Sequence, residues 1–242
     1  MVWNRTHNFG CVFNCKMKKK IFIVIAAFNE EKSIHKVLRS LKNLNFKNIV
    51  VVDDGSKDNT FKEAEKEGVF VLRHLINRGQ GAALKTGIDF SVLSGADVIV
   101  TFDADGQHQA SEIKDVVAPI LSGEADVALG SRFLNTHSNT PFIRRLFLKV
   151  GIYIVYFTSG LKLSDSHNGF RAFSRNAAIK IKIKSDRMEH ASEIIDEIHK
   201  NKLRYKEVPV TITYTDYSKS KGQSTLNGFK IVFKTILRKI MN

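Results

Sequence analysis

The sequence predicts an α/β fold in which a mostly parallel sheet is flanked by helices. Short β-branched apolar runs alternate with segments whose apolar residues recur at helical spacing, which is the order expected for strands joined by helical crossovers. The first run, 21–27, is apolar throughout, as expected for a strand buried on both faces. With 242 residues and 43% hydrophobic content, the chain can bury one large core, so we expect a single domain.

The first half of the chain shows the alternation most clearly. We predict strands at 21–27, 48–52, 68–72 and 97–102, with helices at 33–44, from 58–60 to 67–68, and from 77–81 through 88. Polar segments follow three of these strands, at 29–31, 53–56 and 103–108. Ligands of open parallel sheets bind beyond the carboxyl ends of the strands, so we expect these segments to share one edge.

The pattern weakens in the second half. We predict a short strand at 125–130, a polar cluster at 165–171, a helix at 187–200 and a strand at 206–214. The apolar segment 150–161 follows Arg144, Arg145 and Lys149, and it is either an interfacial segment or a buried helix. Residues 226–242 alternate apolar and basic positions and predict an amphipathic helix that rests on anionic lipid. The expected division is therefore a disordered leader at 1–19, a catalytic domain at 20–225 and this helix.

Charge and cysteine content limit the kinds of partner and cellular compartment that we expect. The 38 Lys and Arg residues outnumber the 24 Asp and Glu residues, and the net charge of +14 favours an anionic partner such as nucleotide phosphate, a lipid surface or nucleic acid. Only Cys11 and Cys15 are present, so no disulfide framework is expected. No apolar run reaches the roughly 18 to 20 residues that a membrane span requires. We expect a cytoplasmic protein that is peripheral to the inner face of a membrane.

Asp103 and Asp105 are the strongest candidates for a metal site. Two carboxylates that flank one residue at a strand end can present oxygen ligands to Mg²⁺ or Mn²⁺, which usually share such ligands with substrate phosphates. Gln107 and His108 lie just beyond and can complete or support this shell. The alternative for an isolated Asp-x-Asp is an ordinary loop, but a second acidic pair after another strand favours the metal site.

That second pair is Asp53 and Asp54, which is either a turn with a helix cap or a ligand site. Adjacent buried carboxylates are costly to leave unpaired, and a ribose or a base would satisfy them. The glycines at 79 and 81 begin a dinucleotide-type pattern, but Leu84 stands where the third glycine is required. We interpret this segment as a tight loop at a helix start, with contact to a donor phosphate as the alternative.

Arginine and glutamate side chains supply further candidates. Arg132 and Arg171 each end a short polar motif, and a guanidinium group matches the oxygens of a phosphate. Glu189 and Glu193 share one face of the predicted helix at 187–200. Either of these glutamates would serve as general base for a hydroxyl acceptor, or both form a solvated acidic face.

Taken together, these segments resemble the family 2 glycosyltransferases, most closely the branch typified by dolichyl-phosphate mannosyltransferase and bacterial polyprenyl-phosphate sugar transferases. The resemblance covers residues 21–224, and it is carried by several motifs in the family's order: Ala26–Glu30, Val52–Thr60, Asn77–Ala82, Asp103–His108, Gly130–Arg132, Asn168–Arg171 and Lys221–Ser224. Two departures are visible. The first motif lacks the family's proline and hydroxyl residue, and Asn168 stands where a serine is common.

The resemblance implies a GT-A fold and an inverting displacement at the anomeric carbon of a nucleotide sugar. It implies a donor site that includes Ala27, Phe28, Glu30, Val52, Asp54, Asp103, Ala104 and Arg132. It also implies a cation held by Asp103, Asp105 and Gln107, and contacts to acceptor or phosphate from Asn168, Arg171 and Lys221. Asp105, Arg132 and Glu193 are the expected catalytic residues.

The sequence therefore predicts a metal-dependent enzyme that transfers a sugar from a GDP- or UDP-sugar to polyprenyl or dolichyl phosphate. A related enzyme that extends a surface polysaccharide through a hydroxyl acceptor is the main alternative. A dinucleotide-binding oxidoreductase would also use a parallel sheet, but it would not need Asp103 and Asp105. A basic module for nucleic acid or membrane would leave the acidic clusters unexplained, and we do not expect nucleic acid as the partner.

Overall fold

A computed structural model describes residues 19–134, 152, 160–165 and 168–213 of the chain. Nearly all of the predicted leader, most of the apolar segment 150–161 and the tail helix at 226–242 lie outside these residues. Arg144, Arg145 and Lys221 lie outside them as well. Within the described ranges, no helix combines the length and the apolar character that crossing a membrane requires.

Seven strands and six α-helices make up the described fold. The strands are β1 (Ile21–Ala27), β2 (Asn48–Asp53), β3 (Phe70–Arg73), β4 (Val98–Asp103), β5 (Val127–Ser131), β6 (Arg171–Ser174) and β7 (Tyr205–Pro209). The helices are α1 (Ile34–Asn43), α2 (Thr60–Lys66), α3 (Gln80–Leu93), α4 (Ile113–Leu121), α5 (Arg175–Lys180) and α6 (His190–Lys200). A 3₁₀ turn, Ala110–Glu112, leads into α4.

The strands form one sheet in the order β3-β2-β1-β4-β6-β5-β7. Strands β3, β2, β1 and β4 are parallel, and β5 is parallel to β7, whereas β6 runs antiparallel to both β4 and β5. The predicted α/β fold with a mostly parallel sheet is confirmed. Strand β6 and helices α4 and α5 were not predicted from the sequence. Strand β6 begins at Arg171, inside the segment interpreted as a polar cluster.

Apolar side chains fill both faces of the sheet. Because side chains alternate along a strand, Ile23 and Ile25 of β1 pack with α1 and α4 on one face, whereas Phe22 and Val24 pack with α3, α5 and α6 on the other. Helix α3 approaches the sheet closely at Gly87, where a Cβ atom would collide with Val24. The two cores hold the carboxyl ends of β1, β2 and β4 at fixed positions.

The strand register brings the acidic segments to a common edge. Ala26 of β1 pairs with Asp103 of β4, and Ala27 pairs with Asp53 of β2. Both acids are thus the last residues of strands that flank β1. The prediction that the polar segments after these strands share one edge is confirmed.

Candidate active site

Asp103 and Asp105 stand at the end of the central strand β4. Oδ1 of Asp103 accepts a hydrogen bond from Gln80 Nε2 at 3.3 Å, and Oδ2 accepts one from His108 Nε2 at 2.9 Å. Oδ1 of Asp105 accepts from the Gln107 backbone N–H at 3.0 Å, while its Oδ2 has no hydrogen-bond donor among the described residues. One carboxylate is therefore oriented from two sides, and the other keeps an oxygen available.

Burial and neighbouring charges shift the pKa values of both Asp103 and Asp105. Burial raises the pKa of Asp105 to about 6, and the nearby Asp103 charge adds to this, with a smaller contribution from Glu30. Burial also acts to raise the pKa of Asp103, but His108 outweighs it, so the pKa of Asp103 lies below its ordinary value. His190 and Arg132 contribute in the same direction. Two close acids that are partly screened from water form a site suited to a positive ligand.

A divalent cation fits this pair of acids. Within the described part of the chain, no three His, Cys, Asp or Glu residues cluster as a complete metal site. Mg²⁺ is usually bound through one or two carboxylates together with water and substrate phosphates, so a complete protein cage is not required. Asp103 and Asp105 supply such carboxylates, and Gln107 lies on the same turn as Asp105.

His108 supports Asp103 from within the core. Its ring lies 5.4 Å from the ring of Phe102 and 5.0 Å from that of Phe170, measured between centroids. A carboxylate only accepts hydrogen bonds, so His108 Nε2 carries the proton that it donates to Asp103. The other nitrogen, Nδ1, is buried without a hydrogen-bond partner among the described residues. His108 thus orients Asp103, while its predicted part in a metal shell stays a prediction.

Most oxygens of the second acidic pair have partners within the chain. Asp54 accepts hydrogen bonds from the backbone N–H groups of Arg78 and Gly79, at 3.0 and 2.7 Å, and contacts His74 Nδ1 at 2.7 Å. Asp53 accepts from the Ser56 N–H and pairs with Arg73 Nε at 3.2 Å. Asp54 therefore does not need a ribose or base to satisfy it, contrary to the expectation. Asp53 Oδ2, in contrast, is buried with an ion pair to Arg73 but without a hydrogen-bond donor among the described residues. Contact between Asp54 and the donor stays a prediction.

The loop at 74–79 accordingly has a structural explanation. Asp54 binds its two ends, and α3 begins directly after it at Gln80. The interpretation of this segment as a tight loop at a helix start is confirmed.

Arg132 is held by an ion pair. It follows β5, and its Nε lies 2.6 Å from Asp165 Oδ2, which also accepts from the Arg132 backbone N–H at 3.1 Å. Glu207 of β7 in turn accepts from the N–H groups of Ser164 and Asp165. The charge of Arg132 reaches Asp103, where it helps to lower the pKa of that acid. Its predicted contact with phosphate remains untested.

Arg171 is buried at the start of β6. Its Nε donates to the Asn168 carbonyl at 2.9 Å, and its Nη2 donates to the Ala191 carbonyl at 3.3 Å. Burial lowers its pKa to about 10, although Asp165 and Asp103 act in the opposite direction. Asn168 is also buried, and its Nδ2 has no hydrogen-bond partner in the described structure. Between these two residues, Gly169 lies so close to Asp103 that a Cβ atom would stand 2.8 Å from Oδ1.

Glu193 has a role that the sequence did not predict. Its Oε2 accepts hydrogen bonds from the backbone N–H groups of Lys184 and Ser185, at 3.0 and 2.8 Å. It lies in the first turn of α6 and ties this helix to the preceding loop. Its predicted function as a general base remains a prediction, and these two hydrogen bonds weigh against it.

Several predicted donor contacts are buried side chains. Ala27, Val52 and Ala104 lie within the two hydrophobic cores, so a donor can meet them only through their backbone. Phe28 is exposed just beyond β1, and Glu30 is partly buried there. Glu30 contributes to the raised pKa of Asp105, which places it near the acidic pair.

Sequence reasoning missed two contributors to the site. Gln80 belongs to a quoted motif, but nothing in its spacing indicates the contact with Asp103. His190 is buried, and its pKa is lowered to about 4, chiefly by burial. The charge of the nearby Asp103 acts against this lowering. The position of His190 beside Glu189 on a polar helix face gave no signal of this burial.

Comparisons with known proteins identify the family of the chain. Residues 22–182 match the glycosyl transferase family 2. The chain is 48% identical to an uncharacterised protein of Methanocaldococcus jannaschii, over 92% of this chain and 93% of that protein. It is 37% identical to the UDP-N-acetylglucosamine–dolichyl-phosphate N-acetylglucosaminyltransferase of Methanococcus voltae, over 92% of this chain and 97% of the relative.

A solved structure shares the fold. It is glucosyl-3-phosphoglycerate synthase from Mycobacterium tuberculosis, crystallised with Mn²⁺, UDP and phosphoglyceric acid. The TM-score is 0.73 at 17% identity, and the match covers 91% of this chain and 77% of that one. This similarity concerns the fold, which is the expected GT-A fold. The family match spans most of the sheet and both acidic motifs, and it establishes that the chain is a member of glycosyl transferase family 2.

Proposed function

We propose that this protein transfers a sugar from a nucleotide-sugar donor to a polyprenyl or dolichyl phosphate, with Mg²⁺ or Mn²⁺ as cofactor. The observation that carries the proposal is the acidic pair at the sheet edge. Asp105 there keeps one oxygen without a donor from the described residues, and its pKa is raised to about 6. The Methanococcus voltae relative is named for a dolichyl-phosphate acceptor, which supports the choice of acceptor. Such an acceptor requires work at a membrane surface, and we propose the cytoplasmic face.

The residues of the site have complementary tasks. Asp103 and Asp105 hold the cation, with Gln107 beside them, while Gln80 and His108 keep Asp103 in place. A bound divalent cation supplies positive charge against the diphosphate that departs with the nucleotide. Arg132, fixed by Asp165, adds a second positive charge near Asp103. The new bond joins an acceptor phosphate oxygen to the anomeric carbon, while the bond from this carbon to the diphosphate oxygen breaks.

The state of Glu193 favours a phosphate acceptor over a hydroxyl acceptor. A phosphate is already anionic and attacks without losing a proton, whereas a sugar hydroxyl needs a general base. Of the two glutamates considered for that task, Glu193, the one expected to be catalytic, is engaged by the Lys184 and Ser185 amides. We therefore expect Glu193→Gln to retain transfer to prenyl phosphate, apart from effects on the stability of the loop.

The test combines donor binding with transfer. Thermal shifts are measured with UDP-N-acetylglucosamine and with GDP-mannose, each with and without Mn²⁺, and transfer of labelled sugar to polyprenyl phosphate is then followed with the better donor. We expect one of the two donors to raise the melting temperature, and to do so only when Mn²⁺ is present. Asp105→Asn should abolish this stabilisation and reduce transfer at least about a hundredfold.

Asp115→Asn is the matched control, because Asp115 is an exposed acid in the first turn of α4 and makes no hydrogen bond to Asp103 or Asp105. This control variant should behave as the wild type. An unchanged Mn²⁺-dependent shift in Asp105→Asn would contradict the proposed cation site. Donor binding without transfer to prenyl phosphate, but with transfer to a glycan hydroxyl, would contradict the proposed acceptor.

A further inference from the structure

The loop between β3 and α3 presents two large aliphatic side chains to solvent. Leu75 is 100% exposed and its neighbour Ile76 is 71% exposed. The described fold therefore does not bury these two side chains, although burial of aliphatic surface in an apolar environment is favourable. Single exposed aliphatic residues are common on proteins, but adjacent exposed ones form a contiguous apolar surface, which is typical of an interaction site.

The loop is held firmly at both ends. The His74 backbone N–H donates to the Asp53 carbonyl at 2.9 Å, and the Arg78 and Gly79 N–H groups donate to the Asp54 carboxylate. Underneath, the loop backbone packs on Gly55, where a Cβ atom would stand 2.7 Å from both Ile76 C and Asn77 N. The exposure of Leu75 and Ile76 is therefore imposed by these contacts.

The loop lies on the same edge as the acidic pair. It follows the carboxyl end of β3, which is separated from β4 by β2 and β1 in the sheet. Three strand spacings correspond to about 14 Å. A surface that meets Leu75 and Ile76 would thus lie at the edge where the donor and the acceptor are expected to react.

The charges around the loop favour an anionic surface. Arg73 and Arg78 flank the aliphatic pair, and their side chains are 50% and 53% exposed. Lys57, in the neighbouring loop after β2, is also exposed. The acids that hold the loop, Asp53 and Asp54, are buried beneath it. Arg78 pairs with the half-exposed Asp186 and Arg73 with the buried Asp53, whereas Lys57 has no ion-pair partner among the described residues.

We propose that Leu75 and Ile76 insert into the surface of an anionic lipid bilayer, with Arg73, Arg78 and Lys57 contacting its phosphates. Interfacial segments of proteins combine apolar and basic residues in this way. The inference builds on the proposed lipid-phosphate acceptor, since docking at this edge would bring the sheet edge to the membrane that holds the acceptor.

The first test measures binding to vesicles and needs no catalysis. The full-length chain and the double variant Leu75→Asp/Ile76→Asp are sedimented with vesicles of phosphatidylcholine and phosphatidylglycerol. We expect the double variant to bind at least tenfold more weakly, with an unchanged melting temperature because both side chains are exposed. Leu93→Asp is the matched control. Leu93 is 86% exposed at the far end of α3, near the opposite edge of the sheet, so its substitution should leave binding unchanged.

The second test separates docking from catalysis. Transfer is compared between long-chain polyprenyl phosphate in vesicles and a short, water-soluble prenyl phosphate. We expect the double variant to lose at least tenfold in rate on the vesicle substrate and to match the wild type on the soluble one.

The outcomes distinguish this inference from the proposed function. Equal vesicle binding by the wild type and the double variant would overturn the inference, as would equal losses in the double variant and Leu93→Asp. A change of oligomeric state in the double variant, seen by sedimentation velocity, would also overturn it, because a second copy would then be the partner. Failure of the wild type on both prenyl phosphates would reject the proposed acceptor, while the vesicle-binding result would still stand.

Discussion

The folded structure disfavours the ionised form of Asp105. Burial and the neighbouring Asp103 raise its pKa from 3.8 to about 6. Because the folded state then binds a proton more tightly than the unfolded state, the metal-free protein gains stability as the pH falls from 7 through about 6 towards 4. A cation at the site replaces this proton. Binding of Mn²⁺ should therefore weaken over the same pH range.

This linkage gives a prediction for Asp105→Asn. Without metal at pH 7, the variant should be more stable than the wild type by about 1–2 kcal/mol, because the opposed charge is removed. Denaturant unfolding in the presence of a chelator measures this difference. It should shrink as the pH falls below about 6, where the wild-type acid becomes protonated. A variant less stable than the wild type at pH 7 would contradict the account.

A substitution at His108 should change metal binding without changing the stability of the fold. His108→Phe keeps a ring between Phe102 and Phe170, and it removes both the hydrogen bond to Asp103 and the buried Nδ1 that lacks a described partner. An unsatisfied buried polar group costs about 1–3 kcal/mol, so its removal offsets the lost bond. We expect little change in melting temperature, but roughly tenfold weaker Mn²⁺ binding, because partners of metal ligands orient those ligands.

Mn²⁺ binding by this variant is measured by electron paramagnetic resonance, which does not depend on turnover. His108→Gln serves as the comparison, since its amide can still donate towards Asp103, and it should retain more affinity than His108→Phe. Equal Mn²⁺ affinity in the wild type and His108→Phe would show that the hydrogen bond has no influence on the metal site.

At the scale of single residues, only contacts between residues that are close in the chain can be predicted from the sequence. Asp103, Asp105 and His108 occupy one short segment at the end of an apolar run, so their proximity could be predicted. Gln80 and the partners of Glu193 come from other elements, and only the folded arrangement shows their contacts. The same holds for the Asp54 carboxylate, whose partners lie twenty or more residues away.

At the scale of elements, helices α1 and α2 are joined by Glu67, which caps the end of α2. Its side chain is 7% exposed and receives Lys42 Nζ at 2.9 Å, His35 Nδ1 at 2.9 Å and Arg39 Nε at 3.3 Å. The hydrogen bond from Lys42 is the largest cause of a pKa that lies below the ordinary 4.5, with further lowering from the charge of Lys42 and from Arg39. The three partners are arranged along one face of α1 and converge on this carboxylate.

We predict that Glu67→Gln destabilises the protein by about 1 kcal/mol at pH 7, a modest value because Arg39 and Lys42 are substantially exposed. A depressed pKa contributes stability above the unfolded value of 4.5, and this contribution is lost as the pH falls through the folded value. The difference between variant and wild type, measured by urea unfolding, should therefore diminish below pH 4.5. Glu65→Gln, an exposed position on the same helix, is the control and should have no effect at either pH.

Strand β6 shows where element prediction from sequence fails. It has four residues, begins with a buried arginine and pairs in antiparallel fashion with β4 and β5, whereas periodicity indicates long apolar elements best. Its burial arises because distant segments of the chain surround it. The long apolar runs of β1, β2 and β4, by contrast, need both faces covered and could be identified from the sequence.

At the scale of the whole molecule, one sheet edge gathers the acidic pair, the arginine held by Asp165 and the aliphatic loop. The parallel register of β3, β2, β1 and β4 produces this arrangement, because parallel strands place all their carboxyl ends together. The sequence predicted the shared edge for the acids. It did not predict that Leu75 and Ile76 would be displayed there, because their exposure depends on how Asp54 and Gly55 hold the loop.

The net charge of +14 leads to a final prediction about salt. Attraction between a basic protein and anionic vesicles is screened as the Debye length falls from about 10 Å at 0.1 M salt to about 3 Å at 1 M, whereas insertion of aliphatic side chains is not screened. Wild-type binding should therefore weaken with salt but persist in part. Binding by Leu75→Asp/Ile76→Asp should vanish, since only its electrostatic part remains. Vesicle sedimentation across a salt series measures both, and parallel loss in the two proteins would mean that charge alone brings this enzyme to the membrane.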